Sequence, residues 1–199
     1  MKPGAARSKF LALNLLLAVC AFAAPPASLP HVKQVDEHLY RGGQPGNKEL
    51  KALQTVGVKA IIDLRGAGER SKREEQTVEA LGMKYYSVPL RPMAAPTDKQ
   101  VTLLLSLIAD SNNWPVFIHC ERGKDRTGTV IACYRIAHDG WPNKRALAEA
   151  VDDGLNIFER SMKNYIRHYK PPQMANESDR AGFRSPPRPR QPDALPGRP

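Results

Sequence analysis

Cysteine is scarce in this chain: three residues among 199, at positions 20, 120 and 133. They are too few and too scattered for the disulfide framework of a small secreted domain, and no two form the close pair that holds structural zinc. No histidine, cysteine or carboxylate cluster has metal-ligand spacing, so no metal is expected, and no cofactor either. No internal repeat is visible, which sets aside solenoid architectures. Outside the first 24 residues no apolar run approaches the length of a membrane span. The hydrophobic fraction of 41% and charged fraction of 25% suit a soluble globular chain, and 22.0 kDa allows one ordinary domain with a real core.

Acidic residues are also in the minority, 20 against 30 basic ones, giving a formal net charge of +10. Much of that excess lies at the ends. Lys2, Arg7 and Lys9 precede an apolar stretch from Phe10 to Phe22 that closes on Ala-Phe-Ala-Ala at Ala21 to Ala24. This is the layout of a secretory signal peptide over residues 1–24, short for a spanning helix and interrupted by Asn14. Export to the periplasm or the outside is therefore expected, with no stable membrane span after cleavage. A lipidated Cys20 is disfavoured by Val19 just before it. From residue 170 to 199 the chain holds eight of its eighteen prolines and a net charge of +3, the composition of a disordered basic tail. Removing the leader's three charges and the tail's three leaves +4 on the body, 25–169. That suits one anionic substrate in one pocket and gives no broad basic face for nucleic acid.

Within the body, helical and extended patterns alternate. Asn47 is positioned to cap a helix over 48–56 that Gly57 stops; VKAIIDL (58–64) reads as a buried strand and 69–81 as a charged helix ended by Gly82. Strands at 85–88 and 115–119 follow, with a helix between them opened by the capping-box spacing Thr97-Asp98-Lys99-Gln100. Helices are expected at 126–138, 144–151 and 157–169. The alternation predicts an α/β fold, a central mostly parallel sheet flanked by helices. Ligands in such folds sit beyond the carboxyl ends of the strands.

One stretch stands at that edge. VFIHCERGKDRTGTV places Cys120 after a strand and six residues before Arg126, with Gly123 between them and Thr-Gly behind. Backbone N–H groups from Glu121 to Arg126, including those of Arg122, Gly123 and Lys124, can form a concave nest, and the following helix adds its free amides and positive dipole end. Arg126 can hold two phosphate oxygens in its planar fork. Such a field favours a thiolate at Cys120, a competent nucleophile, and Thr127 can hydrogen-bond the sulfur as it departs. The spacing differs from that of the nucleotide-binding Gly-x-x-x-x-Gly-Lys-[Ser/Thr] loop. The bland alternative is an inert buried thiol.

HCERGKDRTG resembles the signature loop of cysteine-dependent protein tyrosine and dual-specificity phosphatases. LYRGGQP and IIDLRGAGER resemble segments of the atypical and bacterial branches of that superfamily. The likeness spans about residues 39–155 and excludes both ends. It implies a dual-specificity-phosphatase-like fold and a cysteinyl-phosphate intermediate on Cys120, with Arg126 binding phosphate. It also implies a proton donor, which many members carry on a mobile loop. That loop would fall at VPLRPMAAPT (88–97), which holds no acid. Asp125 is the better candidate, with a loop salt bridge as its alternative role. Asp98 fits the first turn of a helix instead.

Lys124 and Arg122 suit a multiply phosphorylated inositol or lipid substrate, whereas phosphotyrosine requires a deep apolar-walled pocket; a phosphorylated protein and a phosphorylated inositol or lipid both stay open as partners. His119 is expected to orient the loop. Asp63 and Arg65 either support it, meet substrate or form a structural ion pair, and Arg41 carries the same alternatives. Cys133, two turns into the helix and about 10 Å along its axis, is too far from Cys120 for a disulfide, so two free thiols are expected, with Cys120 open to reversible oxidation. Two other classes are disfavoured. A rhodanese-type sulfurtransferase has a shorter loop without the Arg-Thr-Gly ending, and a non-catalytic phosphate-binding module would not need the cysteine.

Overall fold

The computed structural model describes residues 31–172; the expected leader and the expected tail beyond residue 172 lie outside the described residues. Five strands form one sheet: β1 (Val32–Gln34), β2 (Leu39–Gly42), β3 (Ala60–Asp63), β4 (Lys84–Ser87) and β5 (Val116–His119), in the order β1-β2-β5-β3-β4. All neighbours pair in parallel except the antiparallel edge strand β1. The helices are α1 (Asn47–Thr55), α2 (Glu69–Ala80), α3 (Asp98–Ala109), α4 (Asp125–Ala137), α5 (Asn143–Asp152) and α6 (Arg160–His168).

The sheet's two faces follow from the two-residue period of its strands. Ile61 and Phe117 pack on one side with Leu50 and Leu53 of α1 and Val78 of α2. Ile62 and Ile118 pack on the other with Leu104 of α3 and Val130 and Ile131 of α4. Because β3 and β5 are buried on both faces, they read as continuous apolar runs. α4 is buried almost all round, and α5 and α6 cover its outer side through Ala146, Ala150, Met162 and Ile166. The capping box of α3 forms as its spacing predicts: Thr97 Oγ1 accepts the Gln100 N–H, and the Gln100 side chain accepts the Thr97 N–H. At α1 the expected capping fails, since Gly46 occupies the cap position and Asn47 is the first helical residue.

The register sets three strand ends level. His119 lies opposite Gly42 of β2 and Asp63 of β3. The turn after β5 therefore folds onto the turn after β2. Gly123 has φ of +71°, and a Cβ there would stand 2.3–2.5 Å from backbone atoms of Gly42 and Gly43. Only glycine satisfies both constraints.

A buried ionic network closes the same edge from beneath. Asp63 Oδ1 accepts the backbone N–H and the Nε–H of Arg65, both at 2.8 Å. Asp63 Oδ2 accepts Arg65 Nη2 at 2.8 Å, Ser71 Oγ at 3.0 Å and the Tyr85 hydroxyl at 2.6 Å. Arg65 Nη2 also donates to Glu74 Oε2 at 2.7 Å. Glu74 Oε1 lies 2.7 Å from Nε2 of the fully buried His119, whose Nδ1 donates to the Cys120 carbonyl at 3.0 Å. Asp63, Glu74 and His119 come close enough to hold a metal ion, a proximity that sequence spacing does not reveal. Arg65 already supplies the cation between the two acids. Burial pushes the Asp63 carboxyl up, but hydrogen bonds from Arg65, with His119 and Tyr85, outweigh it and hold it at about 2.

Two expectations follow. Gly123→Ala should cost more than the 1–3 kcal/mol roughly expected of left-handed strain alone, because the clash is with backbone. Gly82→Ala, where φ is +76° and nothing lies within 4 Å, should cost the strain only; urea unfolding that gave equal losses would contradict the packing argument. For Asp63, a carboxyl held low contributes stability present above its unfolded value near 4 and lost as pH falls toward 2, roughly 2–3 kcal/mol in all. Asp63→Asn should flatten that acid limb and cost roughly 3–5 kcal/mol at pH 7 by leaving Arg65 buried and underpaired. Unfolding curves at pH 2.5, 4 and 7 measure both.

Candidate active site

Cys120 follows β5 directly and is 2% exposed, at the floor of the turn leading into α4. The amides of residues 121–126 donate to no carbonyl or side chain among the described residues, while the carbonyls around them are taken from outside. Gln44 N–H donates to Glu121 O at 3.1 Å, Arg41 Nη2 to Gly123 O at 2.8 Å and Gly128 N–H to Lys124 O at 2.7 Å. A ring of free N–H groups around a cysteine, at the head of a 13-residue helix, is an anion cradle.

The predicted residues assemble around it. Arg126, in the first turn of α4, is half-buried, and its Nη1 reaches Leu64 O at 3.4 Å, a long contact that leaves the fork for a ligand. Thr127 is fully buried, and its hydroxyl has no partner. Such an orphaned group calls for a functional explanation. Glu121 and Arg122 are exposed on the rim, the Glu121 carboxylate 3.9 Å from Arg70. Lys124 is exposed at its tip, with its stem lying along Gly154.

Asp125 is the first residue of α4, and its Oδ1 accepts the backbone N–H of Asn156 at 2.8 Å. Asp98 opens α3 and accepts the Tyr165 hydroxyl at 2.7 Å, a helix-to-helix tie, as its position in a first turn suggests. His119, Asp63 and Arg65 lie beneath the loop, with Asp63 and Arg65 in a structural ion pair. The thiols of Cys120 and Cys133 are both free and buried; burial, with Asp98 nearby, pushes the Cys133 thiol well up, which leaves it inert.

Arg41 proves to be the loop's second support. It is 3% exposed, donates to Gly123 O and pairs with Asp153 Oδ2 at 2.8 Å, while Asp153 Oδ1 receives Lys33 at 2.6 Å. Burial weakens the proton affinity of Arg41, and Asp153, Glu149 and Cys120 oppose that. Sequence reasoning missed Glu74, Asp153 and Glu159. Glu74 has a signal, being the one apolar-face position of α2 filled by an acid. Glu159 precedes α6, within electrostatic reach of Asp125, Arg122 and Arg126. The acid-free segment 88–97 rests against the same turn through Ser161 Oγ, which donates to Met93 O at 3.0 Å.

The geometry agrees with the comparisons. A family model described as a DSP-PTPase phosphatase fused to NAD+ kinase matches residues 27–165. A dual specificity protein phosphatase, TpbA, of Pseudomonas aeruginosa is 29% identical over 131 residues, covering 65% of this chain and 58% of its own. An inositol diphosphatase, DSP3, of Arabidopsis thaliana is 32% identical over 153 residues, 73% of this chain and 71% of its own. The chain thus spans about three-fifths of the first of these relatives. Among solved structures, the core catalytic domain of the PP-IP phosphatase SIW14 from S. cerevisiae superposes with a TM-score of 0.64 at 22% identity, over 76% of this chain and 90% of that one. The TpbA structure gives 0.58 at 24%, over 72% and 92%. The mostly parallel sheet flanked by helices is thus that of a shared fold, and the chain belongs to the DSP-PTPase family of phosphatases.

Proposed function

We propose that the chain is a phosphomonoester hydrolase working through a cysteinyl-phosphate on Cys120. The observation that carries this reading is the pairing of free loop amides with a buried cysteine and an Arg126 fork held only by a long contact to Leu64 O. The phosphoryl oxygens bind the amides of residues 121–126 and Arg126, which stabilise the charge that builds on them in the transition state. Cys120 Sγ attacks phosphorus in line with the ester oxygen. Thr127 Oγ1, otherwise unpaired, donates to the sulfur and stabilises it as a leaving group in the second step. The ester oxygen must be protonated as it leaves, and Asp125 ties the turn before α6, which carries Glu159, to the head of α4.

A protein tyrosine or dual-specificity substrate is favoured by the rim. Met93 and Phe158 are each 74% exposed and Ile157 67%, on two segments tied together beside Asp125. They offer an apolar wall for an aryl ring, which a phosphorylated inositol would not use. The second reading, an inositol polyphosphate or phosphoinositide, draws on the cations opposite. Arg122 and Lys124 are exposed, and a cleft of about 580 Å³ between α1 and α2, lined by Arg70 and Arg73, adjoins Glu121 through Arg70. The N-terminal leader extends the proposal to place: the enzyme works after export. No helix among the described residues is long and apolar enough to cross a membrane.

Phosphate release under reducing conditions without added metal, from phosphotyrosine and phosphoserine peptides, a phosphoinositide and a soluble inositol polyphosphate, tests both levels. Cys120→Ser should abolish turnover while retaining phosphate binding, and Arg126→Lys should lower kcat/KM about 10²–10³-fold. Phosphotyrosine should lead the panel. Preference for the inositol polyphosphate, lost on Arg122→Ala with Lys124→Ala, would establish the second reading. Phosphate binding with no turnover anywhere would leave only a binding module.

A further inference from the structure

The acid needed by this chemistry is absent from the segment that would swing over the site, and the turn between α5 and α6 holds another. That turn is tied to the head of α4. Asn156 N–H donates to Asp125 Oδ1 at 2.8 Å, Phe158 N–H to Asn156 Oδ1 at 2.9 Å and Glu159 N–H to Asn156 O at 3.1 Å. These bonds fix where the Glu159 side chain starts. Its Oε2 is buried with no hydrogen-bond partner. An unpaired buried carboxylate oxygen is costly in the ionised form and tolerable as a neutral acid awaiting an acceptor.

We propose that Glu159 is the acid–base group of the reaction, held at the head of α4 by the turn that Asp125 anchors. The proposal rests on the phosphatase reading and deepens it. The groups around Glu159 act in opposite directions. Burial pushes its carboxyl up and Asp125 pushes it further, while Arg122 and Arg126 draw it down, and the net direction is up. The neighbouring segment 88–97 adds no acid, its one charged residue being Arg91. A carboxyl whose surroundings raise its proton affinity suits a general acid.

In the first step the Cys120 sulfur forms the S–P bond and the P–O ester bond breaks. Its electron pair goes to the leaving oxygen, which takes the proton from Glu159. In the second, the Glu159 carboxylate removes a proton from the attacking water, the new P–O bond forms and the S–P bond breaks, returning its pair to sulfur. Glu159 ends protonated and no external donor is needed.

The test is the dependence of rate on the leaving group. Protonation matters for an alkoxide or a simple phenolate and little for a strongly acidic phenol. Glu159→Gln should lower turnover of phosphotyrosine and an alkyl phosphate by about 10²-fold or more, yet lower that of dinitrophenyl phosphate only about threefold. The alkaline fall in rate should vanish from its pH profile, because that fall marks loss of the Glu159 proton. Asp125→Asn removes the charge that raises Glu159, so its alkaline limb should move to lower pH and remain visible. Glu159→Asp should recover part of the phosphotyrosine rate, with thermal melts confirming that each variant folds. Equal losses on both substrate classes, no loss at all, or the leaving-group signature appearing in Asp125→Asn instead would overturn the proposal. Silence of the parent enzyme on every substrate would mean that the phosphatase reading itself fails.

Discussion

An anion cradle must solve one problem before any other: its amides have to face inward without being satisfied by protein. Backbone N–H groups left free in a buried turn would ordinarily find a carbonyl. Here five of the six carbonyls from His119 to Lys124 are taken by other donors. His119 O accepts from Leu64, Cys120 O from the His119 ring, Glu121 O from Gln44, Gly123 O from Arg41 and Lys124 O from Gly128. The donors come from the ends of three different strands or the turns after them, and from α4. The sheet's register is thus the condition for the chemistry. A slip of one residue in β2 or β3 would move Arg41, Gln44 or Leu64 out of line and invert the faces of that strand.

The two buried arginines divide this work between them. Arg41 reaches the loop directly and is balanced by Asp153, at the end of α5, so the outer helices are coupled to the cradle through one guanidinium. Arg65 never touches the loop. It joins Asp63 at the end of β3 to Glu74 of α2, and Glu74 meets His119 from below. Both ion pairs are buried, where a lone charge would be costly and a fully bonded one fixes geometry. Their value lies in position more than in net stability, since one fixes the Gly123 carbonyl and the other the His119 ring.

Much of this was legible in the chain. The apolar runs of β3 and β5, the amphipathic α1 and α2, the capping box of α3 and the strand-loop-helix setting of Cys120 all follow from local pattern. The rest was not, for physical reasons. β1 is three residues long and mostly exposed, too short for any period to register, and β2 ends in the glycines of its own turn. Glu74, Asp153 and Glu159 matter through partners 45, 112 and 34 residues away in sequence, and only the fold makes them neighbours. Asp63 and Arg65 could be seen but not sorted, because an ion pair and a substrate contact have the same composition.

The acid illustrates what a fixed arrangement changes. A donor on a mobile segment meets the ester oxygen only after closure, so its proton affinity is set by the closed state alone. Glu159 stands on a turn bonded to Asp125, and Met93 of the segment 88–97 accepts from Ser161 in the first turn of α6. Its environment therefore exists before substrate arrives. Burial and a neighbouring carboxylate strengthen its hold on the proton, and the arginines that weaken it lie in the proposed phosphoryl cradle. A dianionic substrate neutralises that arginine field at the moment of binding and so strengthens the acid's hold on its proton. Once the ester oxygen has left, the remaining phosphoryl charge keeps Glu159 a capable base for water. Substrate charge and acid strength are coupled through Arg126, with no moving loop required.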